Sequence, residues 1–151
     1  MQRRAGVPDA ESATNRLLLQ GFEWHTTGSR HDGSHYLHLA NLLPSLAELG
    51  VTTLWLPPGC KANNSQGNGY DIYDLWDLGE FEQKGSRRTK WGSREELDRL
   101  LRRGKEWGID MIWDAVLSHK MGGDGTEECW AVEVDKEGTL DDGRQGRDGL
   151  H

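Results

Sequence analysis

Residues Trp55 to Lys90 read WLPPGCKANNSQGNGYDIYDLWDLGEFEQKGSRRTK. Pro57 and Pro58 stop a strand, a polar stretch rich in Gly and Asn follows, and Tyr70, Tyr73 and Trp76 then appear among Asp71, Asp74, Asp77 and Glu80. A pyranose has an apolar face on which rings stack and hydroxyls from which carboxylates accept, so this mixture suits an uncharged carbohydrate. The same residues also fit a half-buried loop whose rings are hydrophobic plugs and whose acids are solvated.

Immediately before this loop, Val51 to Leu56 is rich in β-branched residues and reads as a strand. Further upstream, Leu17 to Glu23 is a short, mostly apolar run that suits a first strand buried on both faces. Between them Leu39, Leu42, Leu43, Leu46 and Leu49 recur at three- and four-residue steps, which marks one face of a helix from His35 that Gly50 closes. Pro44 interrupts this pattern, so either the helix bends there or a new segment begins near Leu43. Downstream, Ser93 and Glu96 have the spacing of a capping box. Leu97, Leu100, Leu101 and Gly104 then share a stripe until Trp107-Gly108 ends the helix. Ile109 to Leu117 reads as a third strand.

Near-continuous hydrophobic strands alternating with helices imply parallel crossover units covered on both faces. A doubly wound open sheet and a (β/α)8 barrel both begin this way, the barrel needing about 200 to 250 residues or more. A nucleotide-binding open sheet places a Gly-rich phosphate loop after its first strand, whereas Gly21-Phe22-Glu23-Trp24-His25 has no G-x-G-x-x-G. The aromatic and acidic residues gather instead at the carboxyl ends of the second and third strands, where barrel enzymes place their active sites.

Composition narrows the function classes. Of 151 residues 34% are hydrophobic and the net charge is -7, with the stretch from Met121 onward dominated by Gly, Asp, Glu and Arg. An acidic balance disfavours nucleic acid, and Arg3-Arg4, Arg87-Arg88 and Arg102-Arg103 read as solvated pairs. No apolar run has the length of a secretory signal or a membrane span. Cys60 and Cys129 form no disulfide or zinc spacing and read as free thiols, so the expected location is cytoplasmic.

Several motifs in order now carry a family resemblance. Gln20-Gly21-Phe22-Glu23-Trp24, Gly50 through Pro58, Gly69 through Phe81, Gln83-Lys84-Gly85 and Arg88-Thr89-Lys90 together resemble the start of α-amylases of glycoside hydrolase family 13, of the liquefying type. The resemblance continues through Glu96-Leu97 to Asp114-Ala115-Val116-Leu117-Ser118-His119-Lys120, which is similar to the family's first signature region at the end of the third barrel strand. It covers about Leu17 to Asp135. The implied fold class is α/β, an incomplete (β/α)8 TIM barrel made of the first three βα units. The implied organisation is a flexible tail at 1–16, barrel at 17–120, and the start of the inserted domain B at 121–151.

By this resemblance Tyr70 stacks under the sugar at the cleavage subsite and His119 hydrogen-bonds a hydroxyl of that sugar. Asp114 supports an active-site arginine on the following strand and is not the nucleophile. Ser118 departs from the family, which usually has Asn there as a ligand of a structural calcium ion. A short neutral hydroxyl weakens such a site, because calcium takes its oxygens largely from carboxylates and carbonyls. The acids Asp124, Glu127, Glu128, Asp135, Asp141 and Asp142 lack calcium-loop spacing.

The partner implied is an α-1,4-glucan, as in starch, glycogen or maltooligosaccharides. Family members hydrolyse it with retention, using a nucleophilic and an acid/base carboxylate about 5 Å apart. Those acids come from the fourth, fifth and seventh strands, and none can be assigned in this sequence. The expectation is therefore a truncated enzyme, inactive alone. Two alternatives stand beside it: a short protein that binds glucan or a partner without hydrolysis, and a fragment of a family member catalysing branching or glucan transfer.

Overall fold

The computed structural model describes residues 15–31 and 33–125. In chain order its elements are β1 (Leu18–Gln20), β2 (Ser29–Arg30), β3 (Gly33–Ser34), α1 (His35–Glu48), β4 (Thr53–Leu56), β5 (Lys61–Ala62), β6 (Ile72–Asp74), α2 (Arg94–Trp107) and β7 (Asp110–Trp113). Strands β1, β4 and β7 form one parallel sheet in that order, with α1 and α2 as the crossovers. The short strands make two antiparallel ribbons, β2 with β3 and β5 with β6, in the loops after β1 and β4.

The helices begin where side chains can satisfy their free amides. Ser34 accepts from the Leu37 amide at 3.3 Å and starts α1. Ser93 and Glu96 form the reciprocal capping box that their spacing predicts, and Gly108, at φ 69°, closes α2 in the left-handed conformation. Pro44 does not divide α1, which runs through it as a single helix. The proline forfeits one backbone bond, but Leu39, Ala40 and Leu43 just before it are buried and hold the helix against the core.

Register fixes the two faces of the sheet. Leu19, Leu54 and Met111 lie side by side, as do Gln20, Trp55 and Ile112 in the next row. The first row faces the helices: Leu54 is fully buried among Tyr36, Leu39, Leu43, Leu56, Trp91, Leu100 and Ile109, with Met111 packed against them. Gly104 lets α2 approach β7, since a Cβ there would lie 2.4 Å from Met111 Cε.

In the opposite row Gln20 and Ile112 are exposed, Ile112 at 49%, while Trp55 is half-buried with the Phe22 ring edge-on to it at 5.8 Å. The expectation that the first strand is buried on both faces is therefore corrected: Leu18 and Leu19 are 53% and 39% exposed. The third strand is also shorter than its apolar run, ending at Trp113 while Leu117 is exposed; among the described residues no strand flanks its outer edge.

Lys61 and Asp77 organise the loop after β4. Their side chains are 1% and 0% exposed and meet at 3.2 Å. Lys61 Nζ also donates to the carbonyls of Phe81, Ser86 and Arg87 at 2.7 to 3.0 Å, while Asp77 Oδ1 accepts from the amides of Gly79, Glu80 and Phe81. Burial alone would raise the Asp77 pKa, but these amides and the ammonium outweigh it and hold the pKa below its ordinary 3.8.

Lys61→Met strands a buried carboxylate and is expected to cost about 3–5 kcal/mol in urea denaturation. The depressed aspartate favours the folded state fully above pH 3.8 and progressively less as pH falls below it. Acid should accordingly lower the urea midpoint of the unmodified chain as pH falls below 3.8.

Candidate functional site

The loops leaving β4 and β7 converge at the carboxyl end of the sheet. Gly69 is at φ 95° and a Cβ there would lie 2.6 Å from the Pro58 carbonyl oxygen, so only glycine lets the chain double back past the strand end and present Tyr70. On the neighbouring strand the Asp114 amide donates to the Leu56 carbonyl at 3.2 Å, extending the ladder one residue past β7. Asp114 is thereby set to accept the Tyr70 phenol at 2.8 Å.

His119 completes the group, its Nε2 lying 2.8 Å from the Tyr70 carbonyl oxygen. A carbonyl only accepts, so Nε2 carries the hydrogen, and in the neutral ring Nδ1 accepts the Ser118 hydroxyl at 3.1 Å. Tyr70, Asp114, Ser118 and His119, singled out in the sequence, thus stand together. Burial and then the bond to the Asp114 carboxylate push the Tyr70 phenol up to about 12.

The acids of the same loop are used differently from the ring of sugar acceptors that their spacing with aromatics suggests. Asp71 accepts the Asn64 amide at 3.2 Å. Asp74 accepts from Gln83 Nε2 and the Trp76 amide, each at 2.9 Å, and the Gln83 bond leads in lowering its pKa. Asp77 is fully buried and Glu80 faces Arg94 at 3.7 Å. Asp71, Asp74 and Asp77 brace the loop because its many backbone amides need acceptors. Tyr73 reaches Asp124 at 2.5 Å, and Trp76 is 87% exposed.

Sequence reasoning assigned no role to Trp24, Asn68 or Lys90, yet all three line a cleft of about 560 Å³ with Tyr70. The Trp24 and Tyr70 rings are inclined by only 12° with centroids 5.9 Å apart. Asn68 Nδ2 donates to the Trp24 carbonyl at 2.9 Å, Asn68 Oδ1 accepts from Lys90, and the Asn68 carbonyl accepts from Trp91 Nε1 at 3.3 Å. Burial lowers the Lys90 pKa, opposed by the Glu23 carboxylate. The signal available in the sequence was the position of Trp24 just beyond the first strand's carboxyl end.

Among the described residues no group of three or more His, Cys, Asp or Glu side chains is placed to hold a metal ion. Ser118, with its hydroxyl engaged by His119, supplies one neutral oxygen and does not by itself make a calcium site. No described helix is long and apolar enough to cross a membrane.

The alpha-amylase catalytic-domain family matches residues 37–139. The chain belongs to the alpha-amylase family. It is 43% identical over 126 residues to an alpha-amylase of Bacillus licheniformis, covering 83% of this chain and 24% of that protein. It is 40% identical over 114 residues to the cytoplasmic alpha-amylase of Escherichia coli, covering 75% of this chain and 22% of that one. The chain thus spans about a quarter of the length of these alpha-amylase relatives. A truncated alternansucrase from Leuconostoc mesenteroides superposes with a TM-score of 0.71 at 23% identity, over 83% of this chain and 12% of that one, a likeness of fold. The sheet with its two crossovers is the opening three-strand portion of the alpha-amylase family's (β/α)8 barrel.

Asp114→Asn removes the charge that disfavours tyrosinate at position 70. Spectrophotometric titration near 295 nm should then show one tyrosine shifting down from about 12 toward its ordinary 10.

Proposed function

We propose that this chain is the N-terminal, substrate-cradling portion of a retaining α-amylase-type glycoside hydrolase that acts on α-1,4-glucans. The observation that carries the reading is the Tyr70 phenol held at 2.8 Å by Asp114, with His119 fixed on the Tyr70 backbone, at the carboxyl ends of two adjacent barrel strands. Tyr70 presents a planar ring for one glucose face, and His119 stands beside it to engage a hydroxyl once a sugar competes for its nitrogen. Asp114 positions Tyr70 and, in a full barrel, an arginine on the next strand.

Residues 17–120 make up the barrel portion in this reading; the assignments of 1–16 and 121–151 fall largely outside the described residues. Retaining hydrolysis requires a nucleophilic carboxylate and an acid/base across the scissile bond. Asp110 and Asp114 are not assigned these roles, and the chain alone is read as binding without cleaving. The Escherichia coli relative is a cytoplasmic protein, which supports a cytoplasmic location here, and Ser118 supports weak or absent calcium binding.

Incubation of the purified chain with amylose should release no reducing ends, while maltohexaose should shift the Tyr70 and His119 signals saturably by NMR. Tyr70→Ala should abolish that shift. Cleavage by the isolated chain would overturn the assignment of the reacting groups to other segments, and an unaltered spectrum would overturn the cradle. Joined to a complete barrel, the two catalytic outcomes separate by product: new reducing ends for hydrolysis, new linkages for transfer.

A further inference from the structure

We propose that Tyr73, together with Lys84, is a positioning residue that clasps the segment following His119 onto β6 and so holds the histidine ring against Tyr70. This rests on the reading of His119 as a sugar contact and identifies what keeps that contact in place.

Packing alone does not fix His119. Leu117, Ser118, His119 and Lys120 are all exposed and lie in no helix or strand. Ordering such a segment costs conformational entropy, so hydrogen bonds must supply the restraint. They come from β6 and its surroundings. The Ile72 carbonyl accepts from both the Met121 and Gly122 amides, at 2.9 and 3.0 Å, using both of its lone pairs. A Cβ on Gly122 would lie 2.7 Å from Asn63 Oδ1, so glycine there lets the chain lie close against the residue that follows β5.

Tyr73, the next residue of β6, secures the far end of this segment. Its phenol donates to Asp124 Oδ1 at 2.5 Å, and that bond raises the phenol pKa above its ordinary 10.0, so the hydroxyl stays a donor. Lys84 reaches across from the loop: its ammonium lies 4.2 Å from the Tyr73 ring centroid and donates to the Gly123 carbonyl at 3.2 Å. The Lys120 ammonium lies 5.6 Å from the same ring. One ring thus gathers a lysine from the loop and a lysine from the segment it restrains, both by cation–π attraction. Lys84 takes φ 52°, a left-handed conformation that residues other than glycine rarely adopt. Such backbone persists only where its surroundings enforce it. The stretch 70–73 therefore holds the segment at both ends: the Tyr70 carbonyl takes the His119 ring, while Ile72 and Tyr73 take residues 121, 122 and 124.

NMR of the full chain without ligand tests this. The unmodified chain should show the His119 Nε2–H, bonded to the Tyr70 carbonyl, as a slowly exchanging imidazole signal. Tyr73→Phe keeps the ring and removes the hydroxyl. It should raise Met121 and Gly122 amide exchange about tenfold, the effect of one lost hydrogen bond, and shift or broaden the His119 signal. Lys84→Met should act in the same direction. Asp124→Asn keeps an acceptor and should retain the signal, whereas Asp124→Ala should not. In each variant the Tyr70 phenol should still titrate at about 12, which separates local release of His119 from general unfolding. A His119 signal missing from the unmodified chain, unchanged in both Tyr73→Phe and Lys84→Met, or lost only together with the Tyr70 shift would overturn the clasp. Absence of a maltohexaose response in the unmodified chain would overturn the sugar reading alone, because the clasp is measured without sugar.

Discussion

The buried contact between Lys61 and Asp77 is the constraint from which the cleft follows. Between them the two side chains satisfy three carbonyls and three amides of a segment that makes little regular structure of its own. A long irregular loop cannot bury its backbone unless those groups find partners, and here one ammonium and one carboxylate supply them from the inside. Because Lys61 sits on β5, just past β4, and Asp77 follows β6, the pair also closes the ribbon whose turn leads into Tyr70. An all-apolar replacement could match its packing but would leave the carbonyls of Phe81, Ser86 and Arg87 without donors.

Much of the fold is legible in the sequence because it rests on local rules. Period-3.6 leucines, the Ser93–Glu96 capping box and the runs around Leu54 and Ile112 announce the helices and strands that form. Burial is less legible, because it depends on neighbours in the sheet rather than on the strand itself. Leu18 and Leu19 are apolar enough for an interior, yet in a three-stranded sheet they line an edge. Pro44 misleads for a related reason: a local penalty is overridden by the tertiary packing of Leu39, Ala40 and Leu43.

The candidate site divides in the same way. Tyr70, Asp114 and His119 stand out through motif and position, and their mutual bonds follow from the parallel register of β4 and β7. The roles of the acids do not, because Asp71, Asp74 and Asp77 look alike along the chain. Only the folded loop separates a carboxylate that bonds backbone amides from one that faces solvent. Asn68 is the hardest to foresee. Its importance comes from touching Trp24, Lys90 and Trp91, residues 22 to 44 positions away in sequence.

Among the described residues the outer edges of the three-stranded sheet are uncovered, which bears on association. β1 and β7 are the outer strands, each with a row of backbone groups that no described neighbouring strand takes up. Such a row can take up a second copy either antiparallel to itself, which closes a dimer, or head to tail, which propagates. In a closed barrel the same backbone groups are taken up by flanking strands, so the sheet's exposure to association is set by what stands beside its outer strands.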